Sequence, residues 1–155
     1  DLTIDVSVVA GQTTEAGNTE LISGYNSAFT RIAVIGDFPT ISWNPDNEVA
    51  LTQVSPGLWR GVVTGIPAGE YYMKFRTNGN WETPDPDYTG TDVNETLQTS
   101  LTGPVMLTSG QFSGALHIQI PAGSQNFEFT LDEQNLTYGI VEVLTNSSGP
   151  GRVVR

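Results

Sequence analysis

Glu70-Tyr71-Tyr72-Met73-Lys74-Phe75-Arg76-Thr77-Asn78-Gly79 is the stretch on which the fold reading turns. Tyr71, Met73 and Phe75 fall on one side of an extended chain, and Tyr72, Lys74 and Arg76 on the other. That period of two is the pattern of a strand with one apolar face. Three large apolar groups on a single face belong in a core, which places Lys74 outside. Asn78-Gly79 then closes the strand, with Trp81 just beyond, a strong two-residue hairpin signal.

Working outward, the same texture recurs. Strands are expected over Arg31–Ile35, Val49–Val54 and Leu58–Thr64, with Pro56-Gly57 and Ile66-Pro67-Ala68-Gly69 as links. Glu82 to Thr99 reads as an acidic loop containing Pro and Gly. Strands resume near Val105, then over Ala115–Ile120, Asn126–Leu131 and Leu136–Leu144. Short strands at such intervals predict an antiparallel all-β sandwich of roughly eight to ten strands. At the N-terminus, Leu2, Ile4, Val6 and Val8 alternate with Thr3, Asp5 and Ser7, a half-buried strand followed by a long Gly/Thr/Asn-rich segment. The expected organisation is therefore a strand and linker over 1–29, a sandwich over 30–144 and a Ser/Gly/Pro-rich tail over 145–155.

Composition agrees and excludes several functions. The 155 residues are 37% hydrophobic, with Gly 17 and Pro 9 to supply turns. With no cysteine, disulfides, thiolate metal sites and a cysteine nucleophile are ruled out. A net charge of −11, with 6 Lys+Arg, makes nucleic acid a poor partner because phosphate binding needs a basic stripe. No apolar run approaches the roughly 20 residues of a membrane-spanning helix, so no membrane insertion is expected. The chain opens at Asp1 rather than Met, as a processed export product would, which suggests an extracellular or cell-surface setting.

Catalytic apparatus is not visible. The one histidine, His117, sits in Leu116-His117-Ile118-Gln119-Ile120, where the apolar residues take one face and His117 the other, toward solvent. No G-x-S-x-G elbow accompanies it. Asp85-Pro86-Asp87-Tyr88-Thr89-Gly90-Thr91-Asp92 echoes the opening of an EF-hand loop, which makes Asp85, Asp87 and Asp92 candidate calcium ligands. Thr96 stands where the bidentate Glu should be, so a solvated acidic loop is the competing reading. Trp43 and Trp81 both lie in turn-rich segments beside polar residues, where a Trp either caps a core or stacks on a sugar ring; Trp59, inside a strand, reads as packed.

A resemblance follows from residues in order. Ile35-Gly36-Asp37, Trp43, Leu51-Thr52, Gly57-Leu58-Trp59-Arg60-Gly61, Ala68-Gly69-Glu70, Lys74-Phe75 and Asn78-Gly79-Asn80-Trp81, then Ile120-Pro121-Ala122-Gly123, Phe127, Phe129, Leu131-Asp132 and Leu136-Thr137-Tyr138, resemble the repeat domain of SusE/SusF-type outer-membrane starch-binding proteins. The resemblance covers about Thr30 to Val143. It implies an immunoglobulin-like sandwich binding α-glucan through an aromatic pair and a basic residue, which here correspond to Trp43, Trp81 and Lys74. That family's lipidation cysteine and tandem domains have no counterpart in this chain.

Two functions of different kind are therefore expected. The first is a non-catalytic structural subunit that forms a homopolymer, with Leu2, Ile4, Val6 and Val8 added as a strand to a neighbouring copy. The second is a polysaccharide-binding module that uses Trp43, Lys74 and Trp81. Sequons at Asn94, Asn135 and Asn146 are candidate glycosylation sites for an exported chain.

Overall fold

The computed structural model describes residues 24–79, 81, 86–109, 114–123 and 125–144. The expected strand Leu2–Val8 lies outside them. The described residues form ten strands: β1 (Ile32–Gly36), β2 (Val49–Ala50), β3 (Thr52–Ser55), β4 (Leu58–Val63), β5 (Gly69–Thr77), β6 (Asp87–Gly90), β7 (Thr102–Thr108), β8 (Leu116–Ile120), β9 (Phe127–Asp132) and β10 (Thr137–Glu142). Neighbouring strands pair antiparallel in the order β2-β1-β5-β6-β7-β10-β9-β4-β3, with β8 on β5. This is the all-β antiparallel architecture expected from the alternation.

Two sheets share β7. Its Val105–Thr108 half pairs with β6 in the first sheet, and its Thr102–Pro104 half with β10 in the second. Apolar faces of both sheets meet in one core that includes Val34, Tyr71, Met73, Phe75, Tyr88, Ile118, Trp59, Phe127, Phe129 and Leu131. Phe38 bridges the layers, its ring 5.0 Å from Tyr71 and 5.9 Å from Phe129. Packing also reaches back before the expected boundary at Thr30, since Phe29 meets Tyr88 edge-on at 5.9 Å.

Three local expectations are corrected. Val49–Val54 is not one strand: the chain switches sheets at buried Leu51, whose N–H is spent on Ile32, so β2 edges one sheet and β3 the other. A strand, β6, interrupts the acidic stretch expected to be a loop, because Tyr88 supplies a core side chain opposite Phe75. Asn78-Gly79 does turn with positive φ at both residues, 50° and 69°. It does not close a two-residue hairpin, however, since the partner strand begins only at Asp87. The longer connection places Trp81 outside the strands.

The larger correction concerns the second face of β5. Lys74 was expected outside, yet Lys74 and Arg76 are each only 4% exposed. Register puts Ile35 beside Lys74 and Ala33 beside Arg76 on that face, and both apolar residues are fully buried. The outer side of this sheet is therefore roofed by connecting segments, and the site is built between sheet and roof.

Candidate functional site

The roof begins where β1 ends. Asp37 locks onto β5 twice: its N–H donates to the Tyr72 carbonyl at 3.0 Å, and its Oδ1 accepts the Tyr72 N–H at 2.8 Å. Phe38 and Ile41 then plug into the core, and the Phe38 carbonyl accepts the N–H groups of Ile41 and Ser42. Ser42 and Trp43 both take left-handed backbone conformations, φ 52° and 55°. Such a conformation is costly for a bulky residue and persists only where surrounding structure imposes it. Here the Trp43 N–H is held by the Gly36 carbonyl at 2.7 Å, and the half-buried side chain packs against the edge of the core.

Asn44 then caps the short 3-10 turn Pro45–Asn47, its Oδ1 accepting the Asp46 N–H at 3.0 Å. The turn delivers Glu48 under the roof, where its Oε2 accepts from Arg76 at 2.6 Å and its Oε1 from Arg31. Arg76 also donates to the Gly79 carbonyl and lies over the Trp81 ring, 4.5 Å from its centroid.

A third segment arrives from the far side. Asp92 shapes its own turn, Oδ1 accepting from the Asn94 N–H at 2.9 Å and Oδ2 from the Thr96 N–H at 3.2 Å. Hydrogen bonding, from Thr96 above all, holds its carboxyl below the usual carboxylate range. This turn carries Glu95, in a left-handed conformation, toward Lys74.

Between these segments lies an open cleft of about 510 Å³, lined by Asp37, Trp43, Tyr72, Lys74, Trp81, Glu95, Gly114 and Ala115. The three residues named as sugar-binding candidates thus line one cavity, although 38 positions separate the first from the last. Aromatic residues line it together with the largely buried Lys74 ammonium and the carboxylates of Asp37 and Glu95. Burial lowers the Lys74 pKa, and Asp87 and Glu95 act against that shift. Asp87 lies on the same sheet face, where burial raises its carboxyl pKa despite a hydrogen bond from the Thr77 N–H and the nearby charges of Lys74 and Arg76.

The chain resembles the solved ligand-induced structure of the starch-binding domain AmyP-SBD. The TM-score is 0.50 at 18% sequence identity, over 93% of this chain and 97% of that one. At that identity the likeness establishes the fold alone. No protein-family model and no curated protein matches the sequence.

The remaining candidates are scattered. Asp87 is buried in β6, Asp92 is committed to its turn, and Asp85 lies outside the described residues. Among the described residues no group of three His, Asp or Glu side chains comes together as a cation cage. Asn94 and Asn135 are exposed in turns, the latter donating its amide to Asp132 at 2.7 Å, and Asn146 lies outside the described residues. His117 does not face open solvent as expected: its ring stacks on Tyr72 at 4.1 Å, and Nδ1 sits 3.0 Å from the Glu95 carbonyl.

Sequence reasoning missed Asp37, Tyr72 and Glu95 as lining groups, and Glu48 and Arg76 as the support beneath. Tyr72 and Arg76 were findable, since they share the Lys74 face of β5. Glu95 and Glu48 come from distant turns whose destination no local pattern encodes.

Proposed function

We propose that this domain is a non-catalytic glycan-binding module that holds an α-glucan-like chain in the cleft between Trp43 and Trp81. The observation that carries the reading is the convergence of Trp43, Lys74 and Trp81 on one open cavity. Indole faces suit the C–H surfaces of a pyranose, while Lys74, Asp37 and Glu95 offer a donor and acceptors for its hydroxyls. The shared fold with a starch-binding domain supports this reading, as does the SusE/SusF-type likeness at the same three residues. A shared fold does not carry function by itself, and the cleft is the reason for the assignment. Self-assembly through Leu2–Val8 gains no support from the fold likeness.

Trp81→Ala and Trp43→Ala are each expected to weaken binding to soluble α-glucan roughly thirtyfold, the ~2 kcal/mol scale of a buried aromatic anchor. Affinity electrophoresis in glucan-containing gels reads this directly, with thermal unfolding as the control for folding. Unchanged mobility of a folded Trp81→Ala protein would overturn the assignment.

A further inference from the structure

Beneath the cleft, a buried charge pair serves no ligand directly. Neither Glu48 nor Arg76 lines the cavity, yet their side chains are only 3% and 4% exposed. Burying such a pair gains little stability over apolar residues of the same size, so its presence calls for another explanation. The geometry supplies one. One terminal nitrogen of Arg76 is held by Glu48 and the other by the Gly79 carbonyl, which fixes the plane of the guanidinium. The guanidinium carbon lies 4.5 Å from the Trp81 ring centroid, in cation–π contact. Its Nε is buried without a hydrogen-bond partner among the described residues, a cost accepted to keep the group where it is. Arg31, on the opposite side of Glu48, secures the carboxylate's second oxygen.

Resting on the glycan-binding reading, we propose that Glu48 and Arg76 are positioning residues that set the Trp81 ring before a glycan arrives. Arg76 grips the turn at Gly79 and the ring two residues later, so the orientation of Trp81 is imposed from below rather than chosen by the ligand. A preset ring spares the complex the cost of ordering it at binding.

The test uses the full chain labelled with 5-fluorotryptophan, whose resonances are assigned by single Trp→Phe changes. Glu48→Leu combined with Arg76→Met removes both buried charges together and leaves neither orphaned. The expected result is a shifted or broadened Trp81 resonance, an unchanged Trp59 resonance, and roughly tenfold weaker binding of a soluble α-glucan oligosaccharide, the penalty for ordering one platform side chain. Glu48→Gln, which keeps the shape and loses the charge, is expected to move the Trp81 resonance in the same direction by less. A double variant that leaves the Trp81 resonance in place overturns the proposal, as does one that moves it without loss of affinity. Failure of the unaltered chain to bind any α-glucan would instead overturn the functional reading, and the fluorine spectrum would still decide whether the pair fixes the ring.

Discussion

Glu133 holds the two sheets together from the turn after β9, and its removal has a cost that the structure lets one estimate. The residue is 4% exposed. Its Oε2 accepts the Trp59 indole N–H at 2.8 Å, from one sheet, and its Oε1 accepts the Tyr88 hydroxyl at 2.9 Å, from the other. Burial first, and then the adjacent Glu133, push the Tyr88 phenol well above its usual range. Glu133→Ala leaves the buried Trp59 indole N–H without its acceptor and takes one of two partners from the Tyr88 hydroxyl, which also bonds Tyr25, so a loss of about 2–4 kcal/mol is expected. That is a large share of the ~5–15 kcal/mol that holds a domain folded. Glu133→Gln keeps the volume and one good acceptor, and its hydroxyl partner can rotate, so about 1 kcal/mol is expected. Urea titration followed by intrinsic fluorescence reads both as shifts in midpoint at constant slope. In a double-mutant cycle, Trp59→Phe should cost less in the Glu133→Ala background than alone, because the orphaned indole N–H is gone. Equal losses for the Gln and Ala variants would refute the reasoning, since the volume and the acceptor that Gln retains would then contribute nothing.

Two further outcomes bear on the cleft. Gly36→Ala should destabilise the domain severely and abolish binding, because an added Cβ would stand 2.4 Å from the Tyr72 carbonyl oxygen, in backbone that cannot yield; near-native thermal unfolding would contradict this. Asp87→Asn tests the buried charges. Burial raises the Asp87 pKa, so the folded protein takes up this proton before the unfolded chain does. The unaltered domain should therefore gain stability relative to the Asn variant as pH falls from neutral toward the ordinary carboxylate range, with the gain complete below it. Denaturation midpoints at a series of pH values give the sign, and the opposite slope would mean that attraction to Lys74 and Arg76 outweighs burial.

The alternation of Tyr71, Met73 and Phe75 was sufficient to place one face of β5 in the core, since side chains two apart share a face whatever surrounds them. The same local physics located most strands and set Trp59 inside. It also singled out Trp43, Lys74 and Trp81, through their turn context and an ordered likeness. What local pattern does not contain is the fate of the other face. A Tyr72-Lys74-Arg76 row reads as solvent-facing unless something covers it, and the cover comes from the segments holding Trp43, Glu48 and Glu95. Those segments reach the sheet only because Phe38 and Ile41 anchor one roof turn in the core and Asp92 shapes another. Chain alternation therefore determined which residues share a face. Only tertiary structure decided that the polar face would be roofed, its charges buried and paired, and its aromatic residues gathered around a cleft.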